Sequence, residues 1–122
     1  MELQELYETI GGDYEQATRV LRVEKLIDKH IRRLPNNQVF EQMDEAGKSM
    51  DATQLFESAH AMKGLCANLG LMKLSDMASD LAEEFRPGNT RTMSDEEVRE
   101  RVAQIDALHE RTIEGIRQYE AG

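Results

Sequence analysis

Residues 51–70, "DATQLFESAHAMKGLCANLG", decide how the chain folds, because they lay out on a helix in only one sensible way. Asp51, with Gln54 three residues on, is a capping pattern that opens a helix, and Gly70 is the residue type that closes one. At 3.6 residues per turn each step rotates by about 100°. With Leu55 at zero, Ala59 falls at about 40°, Met62 at about 340°, Cys66 at about 20° and Leu69 at about 320°, which makes one apolar stripe. Lys63, Phe56, Ala67, His60 and Gly64 fall at about 80°, 100°, 120°, 140° and 180° and turn away from it. The spacing therefore predicts a helix over about 52–69 with His60 pointing outward. Gly64 then needs a reason, since glycine inside a helix costs roughly 1 kcal/mol relative to alanine.

Outward from this segment, breakers divide the chain into further amphipathic helices. A short one covers Glu2 to Ile10 and stops at Gly11-Gly12. Asp13 caps a long segment to Leu34, with Val20, Val23, Ile27, Ile31 and Leu34 at helical spacing, and Pro35-Asn36-Asn37 interrupts it. A third helix runs to about Met50 on Val39, Phe40, Met43 and Ala46. After the central helix, one from about Met72 to Phe85 turns Leu74, Ala78, Leu81 and Phe85 inward and is stopped by "RPGNT". Ser94 with Glu97 opens the last, which carries Val98, Val102, Ile105, Thr112 and Ile116 on one side.

Short connections between amphipathic helices make antiparallel neighbours. The expected fold is all-α: an antiparallel up-and-down four-helix bundle with an additional short N-terminal helix and a flanking helix, one domain over residues 1–122. The pattern leaves open which four long segments form the central layer. Aromatics are 5% of the chain and tryptophan is absent, so the core is aliphatic, with Cys66 and the seven methionines as filler.

A formal net charge of -9 repels phosphate backbones and anionic headgroups, so nucleic acid and membranes are not expected partners. The basic residues between Arg19 and Arg33 alternate with Glu24 and Asp28 and read as a solvated face. "MELQELYETI" lacks the basic start and apolar run of a signal peptide, and no apolar run approaches a membrane span. With one cysteine, these features lead to the expectation of a cytoplasmic protein.

His30 and His109 read as structural or solvated side chains. His60 differs in its neighbours. Lys63 and Gly64, at i+3 and i+4, share its face and Ala67 extends a strip of small side chains, which clears an approach for something large. A neutral imidazole offers a nucleophilic lone pair at one ring nitrogen. If that nitrogen takes a phosphoryl group, His60 is too far from the helix start for the dipole to hold the charge, and Lys63 is the cation within reach. No "GxxxxGK[ST]" loop is present, so a partner would supply phosphoryl donor and metal.

His60-Ala-Met-Lys63-Gly64-Leu-Cys-Ala-Asn-Leu-Gly70 resembles the signature HxxKGxxxxxG of histidine-containing phosphotransfer domains. With three histidines in the chain, Lys at +3 and Gly at +4 and +10 would coincide by chance about once in a thousand, so composition does not explain the match. The resemblance implies a phosphorelay intermediate, not an enzyme with its own kinase activity. His60 would accept a phosphoryl group from a receiver aspartate or a histidine kinase and pass it to the receiver aspartate of a response regulator.

By position, Lys63 would face the phosphate, with Arg86 as a second cation. Phe56, Gly64, Ala67, Ser79 and Ala82 would form the receiver-docking surface, and Gly70 would end the helix. Partners would be response-regulator receiver domains and a sensor or hybrid histidine kinase. The chain would bind no metal or cofactor of its own, Mg2+ residing in the receiver, and would act as a monomer. One departure is Ala82, where members often carry glutamine or glutamate to orient the imidazole; Ser79 or Glu83 could substitute.

Two other readings compete. A non-catalytic helical adaptor would use the same face only for binding. A di-iron carboxylate bundle would use Glu57-Ser-Ala-His60 and Asp106-Ala-Leu-His109, but Glu57 falls at about 200°, on the outward side, whereas bundle metals need inward ligands.

Overall fold

Helix boundaries follow the caps. The computed structural model describes residues 1–122 and contains seven α-helices: α1 (Leu3–Ile10), α2 (Tyr14–Leu21), α3 (Glu24–Arg33), α4 (Val39–Ser49), α5 (Ala52–Asn68), α6 (Met72–Phe85) and α7 (Asp95–Ala121), with a 3-10 turn at Leu34–Asn36. The Asp13 and Asp51 side chains accept hydrogen bonds from the Gln16 and Gln54 amides, satisfying donors that a helix start leaves unpaired. Ser94 and Glu97 make both bonds of a reciprocal capping box. Gly11, at φ 71°, closes α1 in the left-handed conformation.

One expected element divides. The segment from Asp13 to Leu34, read as a single helix, is α2 and α3 joined by a tight corner at Arg22. Arg22 adopts φ 72°, ψ -45°, and the Val23 amide donates to the Leu21 carbonyl at 2.8 Å. This is a γ-turn with positive φ, the rarer and strained form. Tertiary packing explains it: the corner lets α2 set Ala17 against α5 while α3 turns Ile27 and Ile31 toward α7. Val20 and Val23, expected in the core, are exposed at 41% and 52% as a result, whereas Ile27, Ile31 and Leu34 are buried.

The central layer is α4, α5, α6 and α7. α5 packs between α4 and α6, and α7 closes the ring against the same two helices, diagonal to α5. Leu55, Ala59, Met62, Cys66 and Leu69, the stripe laid out above, are all buried, at 0 to 2% exposure. Burial pushes the Cys66 thiol up to about 12, so it stays a neutral apolar filler. α7 has 27 residues and reaches about 40 Å. Its first half belongs to the bundle, and its second half carries α1 and α3.

Two polar devices hold the periphery. The Tyr7 hydroxyl donates to the Leu69 carbonyl at 2.6 Å in a buried setting, tying α1 to the end of α5. Glu84, buried near the end of α6, accepts from the Thr92 amide and hydroxyl and from the Met93 amide, and so staples the connection to α7. Burial alone would raise its carboxyl; the three hydrogen bonds outweigh that and hold it below the usual range.

The α4–α7 seam contains an acidic pair. Asp44 from α4 has a buried Oδ1 without a partner, and Asp106 from α7 stands against it. Burial, a hydrogen bond with Asp44 and repulsion from Asp44 and Glu110 push Asp106 up to about 7. Once protonated, Asp106 is a donor available to Asp44, whose Oδ1 has no other partner. Because its pKa in the fold lies above the unfolded value near 4, the stability it contributes is complete below about pH 4 and is lost as pH rises through about 7. Asp106→Asn keeps a donor that does not titrate. It should raise unfolding stability at pH 8 by ~1 kcal/mol over wild type and flatten the fall between pH 5 and 8. Urea unfolding at the two pH values measures this, and equal stabilities at pH 8 would contradict the shared proton.

Candidate functional site

α5 and α6 present one continuous surface because a three-residue connection folds them back on each other. Gly70 makes that turn at φ 72°, and its carbonyl accepts from the Asp13 amide at 2.8 Å. A Cβ on Gly70 would lie 2.1 Å from the Asp13 carbonyl oxygen. The glycine thus serves both the turn and the close approach of the α2 start. Further along, the Ser75 hydroxyl donates to the Lys63 carbonyl at 3.0 Å, fixing α6 against α5 beside the lysine.

On this surface His60 is exposed, Lys63 and Ala67 are half-buried, and Gly64 is exposed. A Cβ at Gly64 would meet nothing within 4 Å. The glycine is therefore not required by packing inside the chain, and any demand for it comes from outside. Phe56 is half-buried one turn before His60, and the two rings stack at a centroid distance of 5.5 Å with 21° between planes.

From α6 come Ser79, half-buried, and Glu83, exposed; Arg86 follows the helix end, half-buried. The Arg86 guanidinium donates Nε and Nη2 to Glu83 Oε1, at 3.0 and 2.6 Å, and its carbon lies 5.6 Å from the centre of the Phe56 ring. The hydrogen bond from Arg86, aided by Asn89 and by the charge of Lys63, holds the exposed Glu83 carboxyl below the usual range. One placement is corrected. Ala82, expected on the docking surface, is 2% exposed and belongs to the core, because its methyl faces inward with Leu81, Ala78 and Phe85.

The outward direction of Glu57 and His60 is what the helical layout requires, and both are exposed. Asp106 and His109 sit instead in the α4–α7 seam, where His109 stacks on Phe40 at 3.6 Å between centroids. Burial lowers the His109 imidazole from its ordinary value. No three His, Cys, Asp or Glu side chains converge as metal ligands would.

Phe56 against His60, Ser75 on the Lys63 carbonyl and the Glu83–Arg86 pair as a neighbour of Phe56 were not read from sequence. The first had a signal: about 100° and about 140° are adjacent positions on the wheel, four residues apart.

A four-helix bundle that holds a histidine on its outer face, followed by a lysine and an unobstructed glycine, defines a class of domain that offers an imidazole to another protein. The family model for the Hpt domain matches residues 3–115, and the chain belongs to the Hpt domain family. Hpt domains are phosphotransfer carriers of two-component signalling and not kinases. Comparisons with curated proteins and with solved structures returned no match.

The two motif glycines should respond in opposite ways to alanine. Gly70→Ala meets both the Asp13 backbone and an unfavourable φ, and should cost about 2–4 kcal/mol. Gly64→Ala enters open space within a helix and should stabilise by up to about 1 kcal/mol. Urea denaturation of the two variants checks the contrast, which equal effects would refute.

Proposed function

We propose that His60 is the phosphoacceptor of a phosphorelay, taking a phosphoryl group from a receiver aspartate or a histidine kinase and delivering it to the receiver aspartate of a response regulator. The observation that carries this reading is the placement of His60, Lys63 and open Gly64 together on one outer face of α5 in a chain of this family. The neutral imidazole attacks phosphorus through its unprotonated ring nitrogen. An N–P bond forms as the P–O bond to the aspartyl carboxyl breaks, and the carboxylate leaves with the electron pair. The proton on the other ring nitrogen is not consumed, and delivery to the next receiver is the reverse exchange.

Each neighbour has a task in that exchange. Lys63 meets the arriving charge as a mobile ammonium, with Arg86 as a second cation when it exchanges Glu83 for phosphate. Gly64, Ala67, Phe56 and Ser79 form the surface on which the receiver rests. The receiver supplies Mg2+ and its acidic site, since this sequence has no "GxxxxGK[ST]" loop. The negative net charge supports protein partners over nucleic acid or anionic lipid, and no helix is long and apolar enough to cross a membrane. In this reading the chain acts as a monomer in the cytoplasm.

A purified, phosphorylated cognate receiver should label the chain in an acid-labile form, and His60→Gln should abolish labelling with the fold intact. Lys63→Ala should slow transfer by roughly tenfold, the worth of one charge-assisted contact. Gly64→Gln should block transfer while leaving the helix as stable or more so. Acid-stable label, full labelling of His60→Gln, or normal transfer by Gly64→Gln would each count against the reading.

A further inference from the structure

An exposed histidine on a helix exchanges rotamers within nanoseconds, whereas transfer needs its nitrogen aligned with phosphorus at about 3–3.5 Å. Something must hold the ring. On the following helix Ala82 is a buried methyl, Glu83 is held by Arg86, and the half-buried Ser79 makes no hydrogen bond to the imidazole. The Asn89 side-chain amide adds to that restraint by donating to Glu83 Oε2 at 3.4 Å, beside its bond to the Glu83 main-chain carbonyl at 2.9 Å.

What does contact the imidazole is the Phe56 ring, offset-stacked at 5.5 Å and 21°, within the separation at which aromatic pairs attract. Phe56 is itself restrained: it packs half-buried on the core, and the Arg86 guanidinium lies 5.6 Å from its centre. Asn89, Glu83, Arg86, Phe56 and His60 thus form one chain of contacts running from the α6 end to the imidazole.

We propose that Phe56, steadied by Arg86, is the positioning residue for His60, holding the imidazole by stacking in the rotamer that faces the receiver. The inference rests on His60 being the phosphoacceptor. Stacking suits the task because it engages the π face of the ring, while attack on phosphorus uses a lone pair in the ring plane. A stack restricts rotation without occupying a ring nitrogen. Phe56 therefore changes how often the nitrogen is aligned.

The test compares Phe56→Leu, Phe56→Tyr and Arg86→Gln with wild type in the full chain. Three-bond couplings report the His60 χ1 rotamer in the free protein, and transfer from a phosphorylated receiver is timed across pH. Phe56→Leu should average the rotamer and slow transfer by about two- to tenfold. Phe56→Tyr should restore a single rotamer and the rate, and Arg86→Gln should fall between. An unaveraged rotamer in Phe56→Leu would make Phe56 a docking contact only and overturn the proposal, as would a slow Phe56→Tyr or an unchanged rate in Phe56→Leu. If circular dichroism shows a Phe56 variant unfolded, Arg86→Gln decides alone: wild-type rotamer and rate there overturn the inference. Failure of wild type itself to take acid-labile label would sink the phosphoacceptor reading, whereas labelled wild type with indifferent variants would sink only the positioning role.

Discussion

The arrangement depends on a backbone contact at the turn between α5 and α6. Gly70 has no side chain, so the start of α2 can press its Asp13 amide onto the Gly70 carbonyl. One residue earlier, the Leu69 carbonyl accepts from buried Tyr7. Carbonyls at a helix end have no partner within the helix, and here two of the local ones are satisfied by elements that come from the N-terminus. That clamp fixes the end of α5 against rotation. Once α5 cannot rotate, burying Leu55, Ala59, Met62, Cys66 and Leu69 leaves His60 no direction but outward.

The electrostatics follow from where His60 then stands. It lies nine residues beyond its cap Asp51, so unpaired amides at the helix start cannot serve a phosphate there. Cations must come from side chains in a chain that is strongly acidic overall. Lys63 on α5 and Arg86 just past α6 are the cations proposed for this, and both hold the Glu83 carboxyl below the usual range. A carboxylate beside two cations keeps the resting face from accumulating positive charge. The same Arg86 that pairs with Glu83 lies over the Phe56 ring, so one guanidinium makes both contacts.

Much of this was legible because α5 has a clean period. A stripe of five apolar residues and a capping aspartate determine a face, and the face determines where His60 points. The caps at Asp13, Asp51 and Ser94 were legible for a related reason, since each acts within three residues of itself. Arg22 was not. No glycine or proline marks the corner, and Val20 and Val23 continue the period across it; only packing against α5 and α7 bends the chain there. Ala82 shows the same limit at finer scale. An alanine is compatible with either side of a helix, and its neighbours Leu81 and Phe85 turn it inward. The Asp44–Asp106 pair was illegible too, because two carboxylates far apart in sequence come to push one of them up only when their helices meet.

The location of that pair bears on how the domain can carry phosphate without disturbing itself. α7 packs on α4 and α6, diagonal to α5, so the seam that holds Asp106 is separated from the His60 face by the width of the bundle. Exposed charges farther apart than about 8 Å are largely screened at physiological ionic strength. In the proposed relay a dianion on α5 would meet Lys63 on its own face, whereas the half-buried Asp106 lies on the helix diagonal to it. With His60 as the proposed phosphoacceptor, the titrating seam and the transferred charge lie on diagonal helices of the bundle.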